Sequence, residues 1–201
     1  MAIGTEAVHP GKPPVRGRKD FGSFSVDVQL IVDMQEDLLR GEAKHDLSGV
    51  VTRINQLAAT VRRRGGQVIF IQHDGRGEGD FEPFTPGWEI LDSIEQDPRD
   101  RIVRKHLNDA FLGTSLQADL ELLGAERVLV SGWATDFCVD ATVRSAAALG
   151  FKVVVAADCH TLSPRPHLSA EGVIEHHHWI WRRLISRYPV EIARASEIEM
   201  T

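Results

Sequence analysis

Short, wholly apolar, mostly β-branched runs recur along this chain, and most are followed by a stretch with helical spacing. That alternation constrains the fold more than any other feature of the sequence. Val26 to Val32 turns fully apolar at Leu30-Ile31-Val32. Gln67 to Gln72 contains Val68-Ile69-Phe70-Ile71, Arg101 to Arg104 contains Ile102-Val103, and Val128 to Ser131 and Lys152 to Ala157 repeat the pattern. Such runs read as strands buried on both faces. Pro189 to Ala193 is expected to form a last strand. Asp46 to Arg64 carries apolar residues at 47, 50, 51, 54, 57, 58 and 61 and closes on Gly65-Gly66, which is an amphipathic helix. Thr114 is placed to cap a helix bearing Leu116, Leu120 and Leu123 and stopped by Gly124. A further helix runs from Cys138 to Gly150, and another, capped by Ser169, from Ala170 to about Ser186. Strands alternating with helices imply right-handed βαβ units, hence an α/β fold with a parallel sheet covered on both faces.

With 201 residues, one domain is the default. Residues 1–24 hold Pro10, Pro13, Pro14 and a basic cluster, Arg16, Arg18 and Lys19, without periodicity. They read as a flexible N-terminal arm ahead of a single domain at 25–201. The net charge of -6 argues against a nucleic-acid partner or an anionic membrane surface. Two cysteines make no disulfide framework and read as free thiols in a reducing compartment. No apolar run reaches membrane length and no signal-peptide pattern opens the chain, so the expected location is the cytoplasm.

In parallel α/β sheets, ligands bind beyond the C-terminal ends of the strands. Asp33, Lys105 and Cys138 each stand just past such an end. Cys138 opens a helix, where unpaired backbone N–H groups favour a thiolate. An acid at the end of a buried strand is costly unless it is paired or used. Together the three groups suit covalent hydrolysis of an amide. Asp33 takes the thiol proton, Lys105 holds the carboxylate and stabilises negative charge, and Cys138 attacks the carbonyl carbon. Backbone N–H groups of the Trp133–Cys138 turn would hold the oxyanion. The plainer alternatives are a buried structural cysteine and an ordinary ion pair.

The stretch from Gly75 to Asp100 is a long loop rich in glycine and proline. Its Phe84 and Trp88, with His73 and Trp133, are expected to line a substrate pocket, although aromatic residues in a loop can equally serve as anchors to the core. His106, beside Lys105, is expected to point away. His176-His177-His178 diverge by about 100° per residue on a helix and so do not converge on one ion; a solvated or interface face is the expectation. Trp179 and Trp181 suggest core or subunit packing, and Cys159 reads as structural.

The element Gly132-Trp133-Ala134-Thr135-Asp136-Phe137-Cys138-Val139, with Asp33-Met34-Gln35 and Lys105, resembles the isochorismatase-like cysteine hydrolase superfamily. The likeness extends from Val26 to the Asp158–Thr161 turn. It implies a three-layer α/β/α Rossmann-like fold with a six-stranded parallel β-sheet and an Asp33, Lys105, Cys138 triad. It also implies a non-proline cis peptide between Trp133 and Ala134, aiming the Ala134 and Cys138 N–H groups at an oxyanion. Metal-binding nicotinamidases of the superfamily carry Asp-x-His after the second strand. Here that place reads His73-Asp74-Gly75-Arg76, so the expectation is no metal, no other cofactor and a substrate other than nicotinamide. Many true isochorismatases lack the cysteine, so Cys138 favours C–N cleavage of a small molecule. The rivals are a vinyl-ether hydrolase of the isochorismatase type and a non-catalytic binding or thiol-sensing member. The resemblance also implies a homo-oligomer, a dimer or tetramer.

Overall fold

In the computed structural model, the residues described are 26–75, 77 and 81–200; the expected N-terminal arm lies outside them. The chain runs β1 (Val26–Val32), α1 (Glu36–Leu39), α2 (Leu47–Arg63), β2 (Gln67–His73), β3 (Arg101–Lys105), α3 (Leu116–Leu123) and β4 (Ala125–Trp133). It continues through a π-type turn (Thr135–Val139), α4 (Asp140–Ala148), β5 (Lys152–Thr161), α5 (Ala170–Trp181) and β6 (Glu191–Ala193). The strands form one six-stranded sheet in the order β3-β2-β1-β4-β5-β6, with every pairing parallel. The winding direction therefore reverses between β1 and β4, the point beyond whose C-terminal strand ends sheets of this kind bind ligands.

Both faces of the sheet are covered, which is why the strands are apolar throughout rather than alternating. On one face, Val50, Ile54, Leu57, Ala58 and Val61 of α2 pack on Ile31, Val68, Phe70, Leu129 and Val154. On the other, α3, α4 and α5 bury Leu116, Leu120, Val143, Ala146 and Trp181 against Val28, Leu30, Val32, Ile69, Val128, Val130 and Val155. Each such aliphatic side chain contributes about 1.5–3 kcal/mol by leaving water. Asp27 and Gln29 are the polar exceptions within β1, and Gln29 Nε2 donates to the Ser131 hydroxyl at 3.2 Å.

Several boundaries differ from those the sequence suggests. Lys105 is the last residue of β3 rather than the residue after it, because His73 and Lys105 still pair across the ladder. α3 begins at Leu116 with Ser115 as N-cap, while the Thr114 hydroxyl accepts from Leu116 N at 3.2 Å. β5 does not stop at Ala157. Its register against β4 slips between the pairs Val130–Val155 and Gly132–His160. That slip lets the Asp158–Thr161 segment continue as strand instead of turning away. α5 ends at Trp181, not near Ser186, because the chain tightens there: Arg183 N bonds Ile180 O and Leu184 N bonds Trp181 O. Trp181 is core and Trp179 is exposed, its ring covered by the Arg183 guanidinium at 4.1 Å.

Gly132 has no substitute in this architecture. Its φ is +120°, and a Cβ there would strike the Val32 backbone of the neighbouring strand. Gly132→Ala is expected to lower the unfolding free energy by at least about 2 kcal/mol. Urea denaturation should show this as a fall in midpoint at unchanged slope.

Candidate active site

The Lys105 ammonium is the centre of the site. Its side chain is wholly buried, and Nζ lies 2.7 Å from Asp33 Oδ2, 3.0 Å from Leu107 O, 3.1 Å from His73 Nδ1 and 3.3 Å from Cys138 Sγ. Three protons are shared among four acceptors, so the ammonium can redistribute its bonds as charge moves in the site. β3 lies two strands away from β1, and the long lysine side chain spans that distance to reach Asp33. A carboxylate oxygen of Asp33, a ring nitrogen of His73 and the Cys138 sulfur lie within 4.8 Å of one another. That mixed donor set resembles a zinc-binding set in type, but here Lys105 bonds with all three and itself supplies the positive charge.

Asp33 follows β1 at a φ of +50°, a left-handed conformation that costs a non-glycine residue on the order of 1 kcal/mol. Backbone bonds hold it there, from its own N to Ile71 O and from Gln35 N to its O, both 2.9 Å. The turn leaves the carboxylate 2.7 Å from the Lys105 ammonium. Asp33 Oδ1 is buried and has no hydrogen-bond partner among the described residues, so one lone pair remains available to a proton. Burial raises the Asp33 pKa above the ordinary carboxylate value, against the opposing pull of Lys105.

Cys138 sits in the π-type turn between β4 and α4. The peptide between Trp133 and Ala134 is cis, as the family resemblance implies. The Ala134 carbonyl accepts from Phe137 N and Val139 N, both at 3.1 Å, on either side of Cys138. The residue is only 5% exposed, but Asn108, which is exposed, meets the sulfur at 3.6 Å through Oδ1. The resting ionisation reverses the expectation from helix position. Burial, together with the Asp33 charge, pushes the Cys138 thiol up to about 12, with Lys105 opposing. Desolvation and a neighbouring carboxylate outweigh the partial charge of a turn; the resting sulfur is a thiol.

Of the expected pocket residues, His73 joins the cluster. The Gln35 side chain brackets its backbone, with Oε1 accepting from His73 N at 2.7 Å and Nε2 donating to His73 O at 3.0 Å, and Phe81 packs on its ring at 5.5 Å. Trp133 flanks the turn and packs on both Leu162 and the α2-side core. Phe84 and Trp88 make their contacts elsewhere. Trp88 is buried, its Nε1 donates to Asp74 Oδ1 at 2.9 Å, and Arg104 lies over both rings at 5.1 and 5.3 Å while pairing with Asp74. Among the described residues their bonds and ring contacts do not include Asp33, Lys105 or Cys138. Trp88, through Asp74 and Arg104, pins the loop to the end of β3, and the exposed Phe84 packs on the Trp88 ring at 5.3 Å. His106 is exposed and, among the described residues, reaches toward Asp74 at 3.8 Å. Asn108 and the bracketing role of Gln35 were not read from the sequence; Gln35 stands in the Asp33-Met34-Gln35 element, whereas nothing local marks Asn108. Cys159 is buried away from solvent. His176 is exposed, whereas His178 turns inward to meet His160 at 3.0 Å, so the expectation of a solvated face does not hold for His178.

The family model for the isochorismatase domain matches residues 28–175. The chain belongs to the isochorismatase family. A streptothricin hydrolase of Streptomyces noursei is 38% identical to it over 136 residues, 67% of this chain and 49% of that protein. A second streptothricin hydrolase of that organism is 36% identical over 149 residues, 74% of this chain and 58% of that protein. This isochorismatase-family chain thus spans about half the length of the curated relatives it matches. A crystal structure of an isochorismatase family protein superposes with a TM-score of 0.75 at 26% identity, covering 83% of this chain and 96% of that one. No helix among the described residues is long and apolar enough to cross a membrane.

Proposed function

We propose that this chain is a cysteine-dependent hydrolase that cleaves a carbon–nitrogen bond, amide or ureido, of a small molecule through an acyl-thioester on Cys138. The observation that carries this reading is the single ammonium of Lys105 bonded to both the Asp33 carboxylate and the Cys138 sulfur. The family's streptothricin hydrolases support it, since hydrolysis is the activity their name gives.

The chemistry follows from the resting state. The thiol is neutral, so attack on the carbonyl carbon requires its proton to leave in the same step. Asp33 has a free lone pair and a raised pKa, which makes it a stronger base than an ordinary carboxylate. As the S–C bond forms, the carbonyl electrons move to oxygen, and the N–H groups of Ala134 and Cys138 are the donors proposed to hold that oxyanion. Protonated Asp33 then gives its proton to the leaving nitrogen as the C–N bond breaks. Asp33, again charged, takes a proton from water, hydroxide adds to the thioester carbonyl, and the thiol departs with that proton restored. Lys105 keeps a cation beside whichever of Asp33 or sulfur carries the charge. His73 and Trp133 flank the position a small substrate would occupy. None of these steps calls on a metal or a cofactor.

A panel of primary amides, ureido acids and cyclic amides tests the proposal, with ammonia release and ring opening as readouts. Turnover of at least one class is expected, falling by 10³-fold or more, roughly, in Cys138→Ala. Hydrolysis that survives Cys138→Ala removes the thioester. Silence on every amide combined with isochorismate turnover assigns the chain to the vinyl-ether hydrolases instead.

A further inference from the structure

We propose that His160 is a positioning residue for the nucleophile turn: its imidazole, held from behind by His178, fixes Thr135 and through it the backbone that carries Ala134 and Cys138. This inference rests on the hydrolase reading above. The slip in β5 places His160 opposite Gly132 and Thr161 opposite Trp133, so both stand against the turn. His160 is 1% exposed, and a polar ring so deeply buried must be hydrogen-bonded on both nitrogens or destabilise the fold.

The direction of every bond in the chain follows from donor counting. The Thr135 hydroxyl lies 3.2 Å from Thr161 O, which can only accept. The single hydroxyl proton is therefore committed to that carbonyl. His160 Nδ1, 2.9 Å from the same hydroxyl, must then be the donor, and the proton of a neutral His160 is on Nδ1. That leaves Nε2 as an acceptor, and His178 Nε2, 3.0 Å away, must carry the proton that fills it. Each ring takes one defined tautomer. Burial holds His160 at about 3 and His178 at about 4, so the neutral forms persist at pH 7. The rings are also packed: His160 stands edge-on to Trp181 at 5.5 Å, and Trp181 Nε1 donates to Asp140 Oδ1 of α4 at 2.7 Å.

Thr135 is the residue between the cis-linked Ala134 and the segment whose N–H groups bond back to Ala134 O. Anchoring its side chain to β5 sets the rotation of the turn, and thus where the Ala134 and Cys138 N–H groups point. Misplacement of about 1 Å in such a donor is enough to cost on the order of 10²-fold in rate.

The test pairs spectroscopy with turnover. Long-range ¹⁵N–¹H correlation spectra of the wild-type protein at pH 7, assigned with the His160→Asn variant, should show His160 protonated on Nδ1 and His178 on Nε2. An asparagine amide nitrogen replaces Nδ1, whereas a glutamine amide replaces Nε2. His160→Gln and Thr135→Val should therefore lose about 10- to 100-fold in kcat at nearly constant KM, while His160→Asn and Thr135→Ser recover most of it. An Nε2-protonated His160, or wild-type kcat in both His160→Gln and Thr135→Val, overturns the inference. Inactivity of the wild type toward every amide defeats the hydrolase reading instead; the tautomers are read without turnover and decide the His178–His160–Thr135 chain on their own.

Discussion

Asp33→Asn will slow hydrolysis by about 10²- to 10⁴-fold and yet make Cys138 more reactive toward iodoacetamide. The two effects have opposite signs because Asp33 acts on the sulfur in two ways. As a base it removes the thiol proton during attack, and asparagine cannot. As a charge it opposes a thiolate: after burial, the Asp33 carboxylate is the largest influence raising the Cys138 pKa, while Lys105 lowers it. Remove the carboxylate, and the ammonium 3.3 Å from the sulfur acts against burial alone. Each unit by which the thiol pKa falls raises the thiolate fraction about tenfold at neutral pH. Alkylation followed by mass spectrometry at pH 7.5, alongside turnover, measures both. A slower alkylation in Asp33→Asn would mean that the carboxylate does not govern the sulfur. The wild-type pH profile carries the same signature. Turnover needs Asp33 charged, and burial has raised its pKa, so activity should fall as pH drops through a value above the ordinary carboxylate range. Asp33→Asn should lack that acid limb.

Lys105→Met is the second large effect, and it falls on stability as well as rate. Methionine fills the volume but leaves the Asp33 carboxylate buried, with Oδ1 already lacking a partner. Breaking one side of a buried pair costs about 3–5 kcal/mol. Activity should fall by at least about 10³-fold, because Asp33 will tend to hold a proton and the thiol loses the one group that lowers its pKa. The sign of the pH dependence follows. Without Lys105 the folded-state pKa of Asp33 rises further above its unfolded value. The protonated form then stabilises the fold below the unfolded pKa, and that contribution is lost as pH rises through the folded one. The variant should therefore be most destabilised relative to wild type near pH 7.5 and least at about pH 4–5. Urea denaturation at both pH values checks this; equal stability of variant and wild type at pH 7.5 would show that the buried charge is compensated elsewhere.

Much of this architecture is legible in the sequence because strands covered on both faces must be apolar at every position. β1 is bounded as expected, from Val26 to Val32, and so is the helix that Gly65-Gly66 closes. Asp33, Lys105 and Cys138 are legible as strand-end polar groups, since an acid or amine buried there is costly unless it is paired or used. What escapes the sequence depends on depth and on pairing between distant segments. Helix position alone suggested an ionised sulfur, but burial and the Asp33 charge are properties of the assembled site. Phe84 and Trp88 fit a pocket wall as well as an anchor until Asp74 and Arg104 are seen to hold them. The Asp158–Thr161 segment looks like a turn because nothing local announces the slip in β5 that keeps it in the sheet and brings His160 to the nucleophile turn.

The most direct measurement is the mass of the enzyme during turnover. Acid quenching within the first turnovers, followed by peptide mass spectrometry, should find the acyl part of the hydrolysed amide on the peptide containing Cys138, absent in Cys138→Ala. Steady hydrolysis with Cys138 unmodified at every quench time would contradict covalent attack by the sulfur.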